Sequence, residues 1–402
     1  MARHNGCRPQ RRPGHREHRM SQPYGNIALA GVGEAAISTT QVRSAQELAV
    51  EAGLAAMADA GLTSRDIDGV ITASPAGDPH FMFSTLVAEA LNVRARVNMA
   101  VQAAGASPGM GVLYAARAIA AGDAHTVLVC ESDSRGAKFK GDKIQAMRAA
   151  RPWTDDWEDP FGLTVPGKYA LIAQRWMHRH GRGREDLAAV AVAARAHAMR
   201  QPHAPRKEPL AMEKVLGSAP IAAPLHAFDC CPVADWGGAV LVTSVERARD
   251  MRQPVVRLLG AGEGHCAYHV ADIDDLPPSA TRQSAEAAFG IAGVKPGDID
   301  TAQVFDAFTI AALVAMEELG FCEPGAAGSL FAGGHTALGG SIPTNTTGGM
   351  LTWGNAHVIV LPEAVRQVRG DAGVNQVAGA KLALAHGIGG PMSLAVTMIL
   401  GR

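Results

Sequence analysis

The chain has 402 residues, 47% of them apolar and 19% charged, with 37 basic against 38 acidic side chains and a formal net charge of −1. Such a balance excludes the charge footprint of a nucleic-acid or anionic-membrane binder, and no run reaches the roughly 18 apolar residues of a membrane-spanning helix. The length exceeds one small core, so two domains or two halves are expected.

In chain order, residues 1–19 stand apart. Arg3, Arg8, Arg11, Arg12, Arg16 and Arg19 face a single acid, Glu17. With no apolar h-region the stretch is no secretory signal, and it reads as a disordered extension ahead of a start at Met20. From Asn26 short β-rich runs (Ile27–Gly31, Gly69–Ala73, Thr126–Cys130) alternate with Ala-rich helical stretches at Ala45–Ala60 and Gly109–Ala121. That alternation is the pattern of an α/β protein with buried sheets. A long insertion follows at about 132–224, holding Trp153, Trp157, Trp176 and the basic stretch Arg195–Lys207. An excursion of this length inside a compact half reads as a lid or substrate loop.

An internal repeat decides the architecture. Ala60-Gly-Leu-Thr-Ser-Arg-Asp-Ile-Asp68 recurs as Ala292-Gly-Val-Lys-Pro-Gly-Asp-Ile-Asp300, an offset of 232 residues with five identities in nine positions. Each copy reads as a helix ending at Ala-Gly, a short loop, then Asp-Ile-Asp leading into an apolar strand, with the glycine as C-cap. The period is too long for a solenoid and indicates a duplication, with halves at 20–250 and 251–402. The cysteines (Cys7, Cys130, Cys230, Cys231, Cys266, Cys322) match neither a disulfide framework nor a metal knuckle. Cys230 and Cys231 would point to opposite faces of a strand and share no metal, so a reduced, cytoplasmic chain is expected.

The stretches Lys168-Tyr-Ala-Leu-Ile-Ala-Gln-Arg-Trp-Met177, Phe228-Asp-Cys-Cys-Pro-Val-Ala-Asp235, Phe305-Asp-Ala-Phe-Thr309, Glu317-Glu-Leu-Gly-Phe-Cys322, Asn345-Thr-Thr-Gly-Gly349, Glu363-Ala-Val-Arg-Gln-Val-Arg-Gly370 and Leu384-Ala-His-Gly-Ile-Gly-Gly390 occur in order. In this the chain resembles the thiolase superfamily, in its sterol-carrier-protein-type (lipid-transfer) branch, from Asn26 to Leu400. The resemblance implies a thiolase fold, a duplicated α-β-α-β-α sandwich with a long insertion in the first half. It also implies an active site between the halves, a coenzyme A thioester as substrate with no separate cofactor or metal, and a homodimer.

The family's chemistry normally starts from a cysteine at a helix N-terminus, where helix-end N–H groups stabilise a thiolate. Counting back from Ala121-Gly-Asp-Ala124 puts Gly105 at that position, within Gln102-Ala-Ala-Gly-Ala-Ser-Pro108. Ser107 has two readings, a replacement nucleophile or, preferred, the cap of a helix beginning at Pro108. The helix end itself is a candidate oxyanion site. The resemblance puts Asn355 where the family has its Gly-His-Pro histidine. An asparagine donates a hydrogen bond but cannot act as a base. His357 is then either a replacement proton carrier or a surface or capping histidine. His386 stands where this branch keeps its late histidine, facing the site or packed in a loop. Asp306 faces the pocket or caps the helix Thr309–Leu319. Gly348, Gly349, Gly389 and Gly390 are the backbone-approach positions expected to line the substrate.

Three functions remain open from the sequence. The first is aldol or retro-aldol chemistry on a β-hydroxyacyl-CoA, with His386, His357, Asn355 and Asp306 as catalytic groups. Cysteine-less members of the branch are aldolases of steroid side-chain thioesters that work with an OB-fold and zinc-ribbon partner and use tyrosines. This chain has only Tyr24, Tyr114, Tyr169 and Tyr268. The second is a silent subunit that binds acyl-CoA or scaffolds such a partner. The third is an acyltransferase with its nucleophile relocated to Cys130 or Cys322.

Overall fold

The computed structural model describes residues 23–38, 43–135, 158–273, 275–278, 280–354 and 359–402. The basic stretch 1–19, Trp153, Trp157, Asn355 and His357 lie outside them.

The strands are β1 (Ile27–Glu34), β2 (Gly69–Ala73), β3 (Val97–Val101), β4 (Thr126–Asp133), β5 (Pro220–Ala222), β6 (Leu225–His226), β7 (Trp236–Ser244), β8 (Val256–His265), β9 (Thr301–Val304), β10 (Leu382–Gly389) and β11 (Leu394–Gly401). The helices of the first half are α1 (Ala45–Ala60), α2 (Phe83–Ala90), α3 (Ser107–Ala121), α4 (Val165–His180), α5 (Arg184–Ala198), α6 (Met212–Leu216) and α7 (Val245–Ala248). Those of the second are α8 (Ala280–Ala292), α9 (Thr309–Glu318), α10 (Ala327–Ala332), α11 (Gly349–Trp353) and α12 (Val360–Arg369).

Nine strands form one hydrogen-bonded series, β3-β2-β4-β7-β1-β8-β11-β10-β9, joined at its middle by the short β1–β8 pairing. On each side of that joint the pattern repeats. β1 and β8 start the halves, β7 and β11 run antiparallel beside them, and β4 and β10 pair in parallel with β2 and β9. The repeated nonapeptide explains the symmetry. α1 ends at Ala60 with Gly61 at φ 73°, and α8 ends at Ala292 with Gly293 at φ 69°. A left-handed residue after the last turn suits glycine because no Cβ clashes there. A 3₁₀ turn follows in both copies, at Ser64–Asp66 and Pro296–Asp298. Each copy's last aspartate then clamps the start of a later strand of its own half, β4 or β10. Asp68 accepts from the N–H groups of His125 and Thr126, and Asp300 from those of Lys381 and Leu382.

The layers follow from the packing. α1 and α2 cover the outer face of the first sheet, α8 the outer face of the second, and α3 and α12 lie between the two. Small residues set the spacing. A Cβ at Gly33 would come within 2.3 Å of Ala52 O on α1, and one at Gly262 within 2.2 Å of Ser284 O on α8. Glycine at those strand positions lets helix backbone rest directly on the sheet, which is how a core poor in aromatics still fills its space.

The insertion is largely helical where it is described. α4 and α5 pack against the α9–α11 region, with Trp176 fully buried and its indole N–H donating to Glu317 Oε2 at 2.9 Å. The amphipathic faces of α4 and α5 find a second-half surface to cover.

Candidate active site

α3 opens on the seam between the halves. A 3₁₀ turn at Ala104–Ala106 leads into it, with Ala104 at φ 46°. Because that turn continues into the helix, the cap position falls at Ala106 and Ser107 becomes the first helical residue. Ser107 is therefore not the N-cap. Its Oγ accepts from the Ala103 N–H at 2.9 Å, fastening the turn that precedes the helix. The serine is buried.

Gly105 has no room for a side chain. A Cβ there would lie 2.2 Å from the Phe305 ring and 2.5 Å from the Ile388 carbonyl oxygen. The approach is mutual. A Cβ on Gly387 would meet Gly105 O at 2.8 Å, and one on Gly389 would meet Ala103 O at 2.2 Å. The end of β10 is thus pressed onto the mouth of α3, and glycine is what lets it come so close. Gly390 follows in the hairpin turn with φ 61°, and its carbonyl accepts from the Tyr169 hydroxyl at 2.8 Å. Tyr169 stacks on Phe308 with ring centroids 4.2 Å apart. Burial pushes its phenol pKa up, so it stays a donor.

The structure does not bring His386 to this mouth, which corrects the sequence expectation. It lies inside β10 rather than on a loop, and side chains alternate along a strand. Gly387 and Gly389 face α3, so His386 faces α8. There Nε2 lies 3.3 Å from Thr281 Oγ1 and Nδ1 3.0 Å from Thr397 Oγ1, fully buried. Burial lowers its pKa to about 3, so the ring is neutral at physiological pH.

Asp306 lies two residues beyond β9 and turns its carboxylate into the Asn345–Met350 loop. Oδ1 accepts from the Met350 N–H at 2.7 Å, and Oδ2 lies against the Cα of Gly349. Gly348 and Gly349 have φ of 98° and 62°, so their placement as a backbone-approach segment has a concrete object, the Asp306 carboxylate. The N-cap of α9 is Phe308, so Asp306 does not cap that helix. Its side chain is fully buried, Oδ2 has no hydrogen-bond partner among the described residues, and burial raises the carboxyl pKa to about 7. The loop is held by a buried polar cluster. Asn345 Oδ1 accepts from the Val304 N–H at 2.7 Å, Thr346 donates to Glu363, and Gln367 Nε2 donates to Thr346 Oγ1.

Neither alternative thiol stands at the mouth. Cys130 lies on the face of β4 that α1 and α2 cover, and burial pushes its pKa up to about 12. Cys322 lies beyond the far end of α9, a helix of ten residues and so about 15 Å long. Two residues at the seam lay outside the set of candidate site residues, Phe305 as the filler of Gly105's space and Cys231. The Cys231 N–H donates to Ala307 O at 2.8 Å, and Cys230 forms an antiparallel bridge with Phe308. That contact links segments some 75 residues apart, and no local pattern announces it.

Comparison with known proteins agrees with this architecture. Residues 262–402 match the family described as "Thiolase C-terminal domain-like". The chain is 36% identical to a steroid side-chain-cleaving aldolase of Thermomonospora curvata, over 89% of this chain and 93% of that protein. It is 31% identical to an acetyl-CoA acetyltransferase of Methanothermobacter thermautotrophicus, over 94% of this chain and all of that protein. Among solved structures, one described as "Ltp2-ChsH2(DUF35) aldolase" superposes with a TM-score of 0.83 at 32% identity, covering 95% of this chain and 99% of that one.

Proposed function

The chain belongs to the thiolase superfamily, in its sterol-carrier-protein-type branch, and on that premise we propose that it makes or breaks the carbon–carbon bond beside a coenzyme A thioester by aldol-type chemistry on a β-hydroxyacyl-CoA. It is an enzyme of acyl-CoA chemistry with the duplicated fold of its relatives. One observation carries the choice of reaction: the Phe305 ring and the Ile388 carbonyl occupy the space that a nucleophilic side chain on residue 105 would need. An acyl-enzyme has nowhere to form at the helix mouth. A retro-aldol cleavage needs none.

It needs a base for the β-hydroxyl, stabilisation of the enolate oxygen, and a proton for the α-carbon. The N-terminus of α3, fifteen residues long, supplies a positive dipole end for the oxygen. Asp306 is assigned the base, since a carboxyl with pKa about 7 exchanges a proton readily near neutral pH. Asn355, as donor to the thioester oxygen, and His357, as second proton carrier, belong to the same proposal. Gly105, Ser107, Gly348, Gly349, Gly389 and Gly390 shape the backbone around the substrate. His386 has no part in it. The proposed assembly is a cytoplasmic homodimer that works with an OB-fold and zinc-ribbon protein. No helix among the described residues is long and apolar enough to cross a membrane.

The test is to incubate the purified chain, alone and with a candidate OB-fold partner, with matched β-hydroxyacyl- and β-ketoacyl-CoAs. Carbonyl release from the hydroxyacyl-CoA, with no need for free coenzyme A, is the expected result. Coenzyme A-dependent cleavage of the β-ketoacyl-CoA instead would restore Claisen chemistry and sink the proposal. Because Asp306 acts ionised, kcat should rise with pH through about 7, and D306N should flatten that limb. The second reading, a subunit that binds acyl-CoA without reacting, is also favoured by the filled space at Gly105. It predicts thioester binding with no turnover under any of these conditions.

A further inference from the structure

Cys231 is a thiol that the fold draws to the same seam. The segment carrying it runs antiparallel to the stretch after β9, through the Cys231 N–H to Ala307 O bond of 2.8 Å and the Cys230–Phe308 bridge. Phe308 stacks on Tyr169, and the Tyr169 hydroxyl holds the Gly390 carbonyl at 2.8 Å. The thiol therefore stands where the end of β9, the inserted helix α4 and the β10–β11 hairpin converge. Charge places it there as well. Its sulfur lies in the field of Asp306, Arg135 and Arg206, and it acts in turn on the Tyr169 phenol. Cys231 is half-buried, whereas Cys130 is sealed under α1 and α2. A second observation is independent of the thiol: Asp306, whose charge acts on it, is wholly buried, with Oδ2 unpartnered among the described residues.

We propose that Cys231 is the proton donor to the α-carbon of the thioester enolate, an assignment that rests on the aldol reading of the site. In the cleavage direction the Asp306 carboxylate accepts the β-hydroxyl proton. The oxygen's electron pair forms the new carbonyl as the Cα–Cβ bond breaks, and the electrons of that bond pass into the thioester enolate. The enolate carbon takes the proton from Cys231 Sγ, and the thiolate left behind recovers the proton now held by Asp306. One proton has moved from oxygen to carbon, with no oxidant, reductant or co-reactant.

The surroundings suit donation rather than attack on a carbonyl. Burial and the Asp306 charge push the thiol pKa up to about 12, so it rests protonated, and only a thiolate is nucleophilic. Arg135 and Arg206 pull the other way, stabilising the anion for the moment between donation and reloading.

The experiment uses the full chain, with its partner if turnover requires one, and compares wild type, C231A and C231S, with C130A as a thiol control. C231A is expected to lose about 10²-fold or more in kcat, the usual scale for a lost proton donor, with KM changed by no more than about twofold. C231S should recover part of the loss, and C130A should match wild type. In D2O the α-carbon of the released acyl-CoA should gain deuterium, and C231A should slow that step in parallel with kcat. A C231A variant within about threefold of an active wild type would overturn the donor role alone. A wild-type chain that leaves every β-hydroxyacyl-CoA intact would overturn the aldol reading, and the donor role with it.

Discussion

A methyl group added at residue 105 would sit 2.2 Å from the Phe305 ring, so the missing nucleophile is a matter of volume as well as identity. G105A should destabilise the chain by about 1–3 kcal/mol, the usual cost of overpacking. F305A in the same chain should recover much of that loss, measured as Tm by calorimetry. His386 belongs to the same scale. Burial holds its folded pKa at about 3, below the ordinary histidine value of about 6.5, so the unfolded chain binds the proton more readily. The sign follows from that difference. The stability tied to a neutral His386 is complete above pH 6.5 and is lost progressively as pH falls toward 3. H386N should therefore show a shallower loss of Tm with acid across that window and retain kcat. A loss of turnover without a loss of Tm would return His386 to the site.

Between residue and molecule, the repeated nonapeptide is the clearest unit. The sequence showed its helix end, its glycine cap and its strand start, and the structure matches each. α1 at Ala45–Ala60 and β2 at Gly69–Ala73 fall where the pattern placed them, because capping chemistry and alternation are local. Asp68 and Asp300 were legible only as loop residues, yet each satisfies two backbone N–H groups of a strand far along the chain. D68A and D300A should each cost about 1–2 kcal/mol by leaving those donors without their carboxylate. Being in separate halves, the two losses should add in the double variant. Ser107 shows the limit of local reading. Its Pro108 neighbour signalled a helix start correctly, but the 3₁₀ turn before it moved the cap by one residue.

For the molecule as a whole, the sheet series ends at β3, whose outer edge has no strand beside it among the described residues. Val97 and Met99 are half-buried there while Asn98 and Ala100 are exposed. Unpaired edges invite pairing, and the proposed homodimer is expected to use this one. A100K, which sets like charges against each other across a symmetric edge, should shift light-scattering mass toward monomer and lower Tm by the stabilisation that association gives. A dimer that survives it would place the interface elsewhere.

The sequence by itself determined the α/β class, the duplication and the absence of a cysteine at Gly105, because periodicity, capping and residue identity are all local properties. Only the tertiary structure decided which side chains face the seam. Strand alternation turned His386 away through a register that β9 and β11 set from outside β10. The bridge from Cys230 to Phe308 carried Cys231 in. Which face of a strand meets the site depends on pairing between distant segments, and a reading of neighbours in sequence cannot contain it.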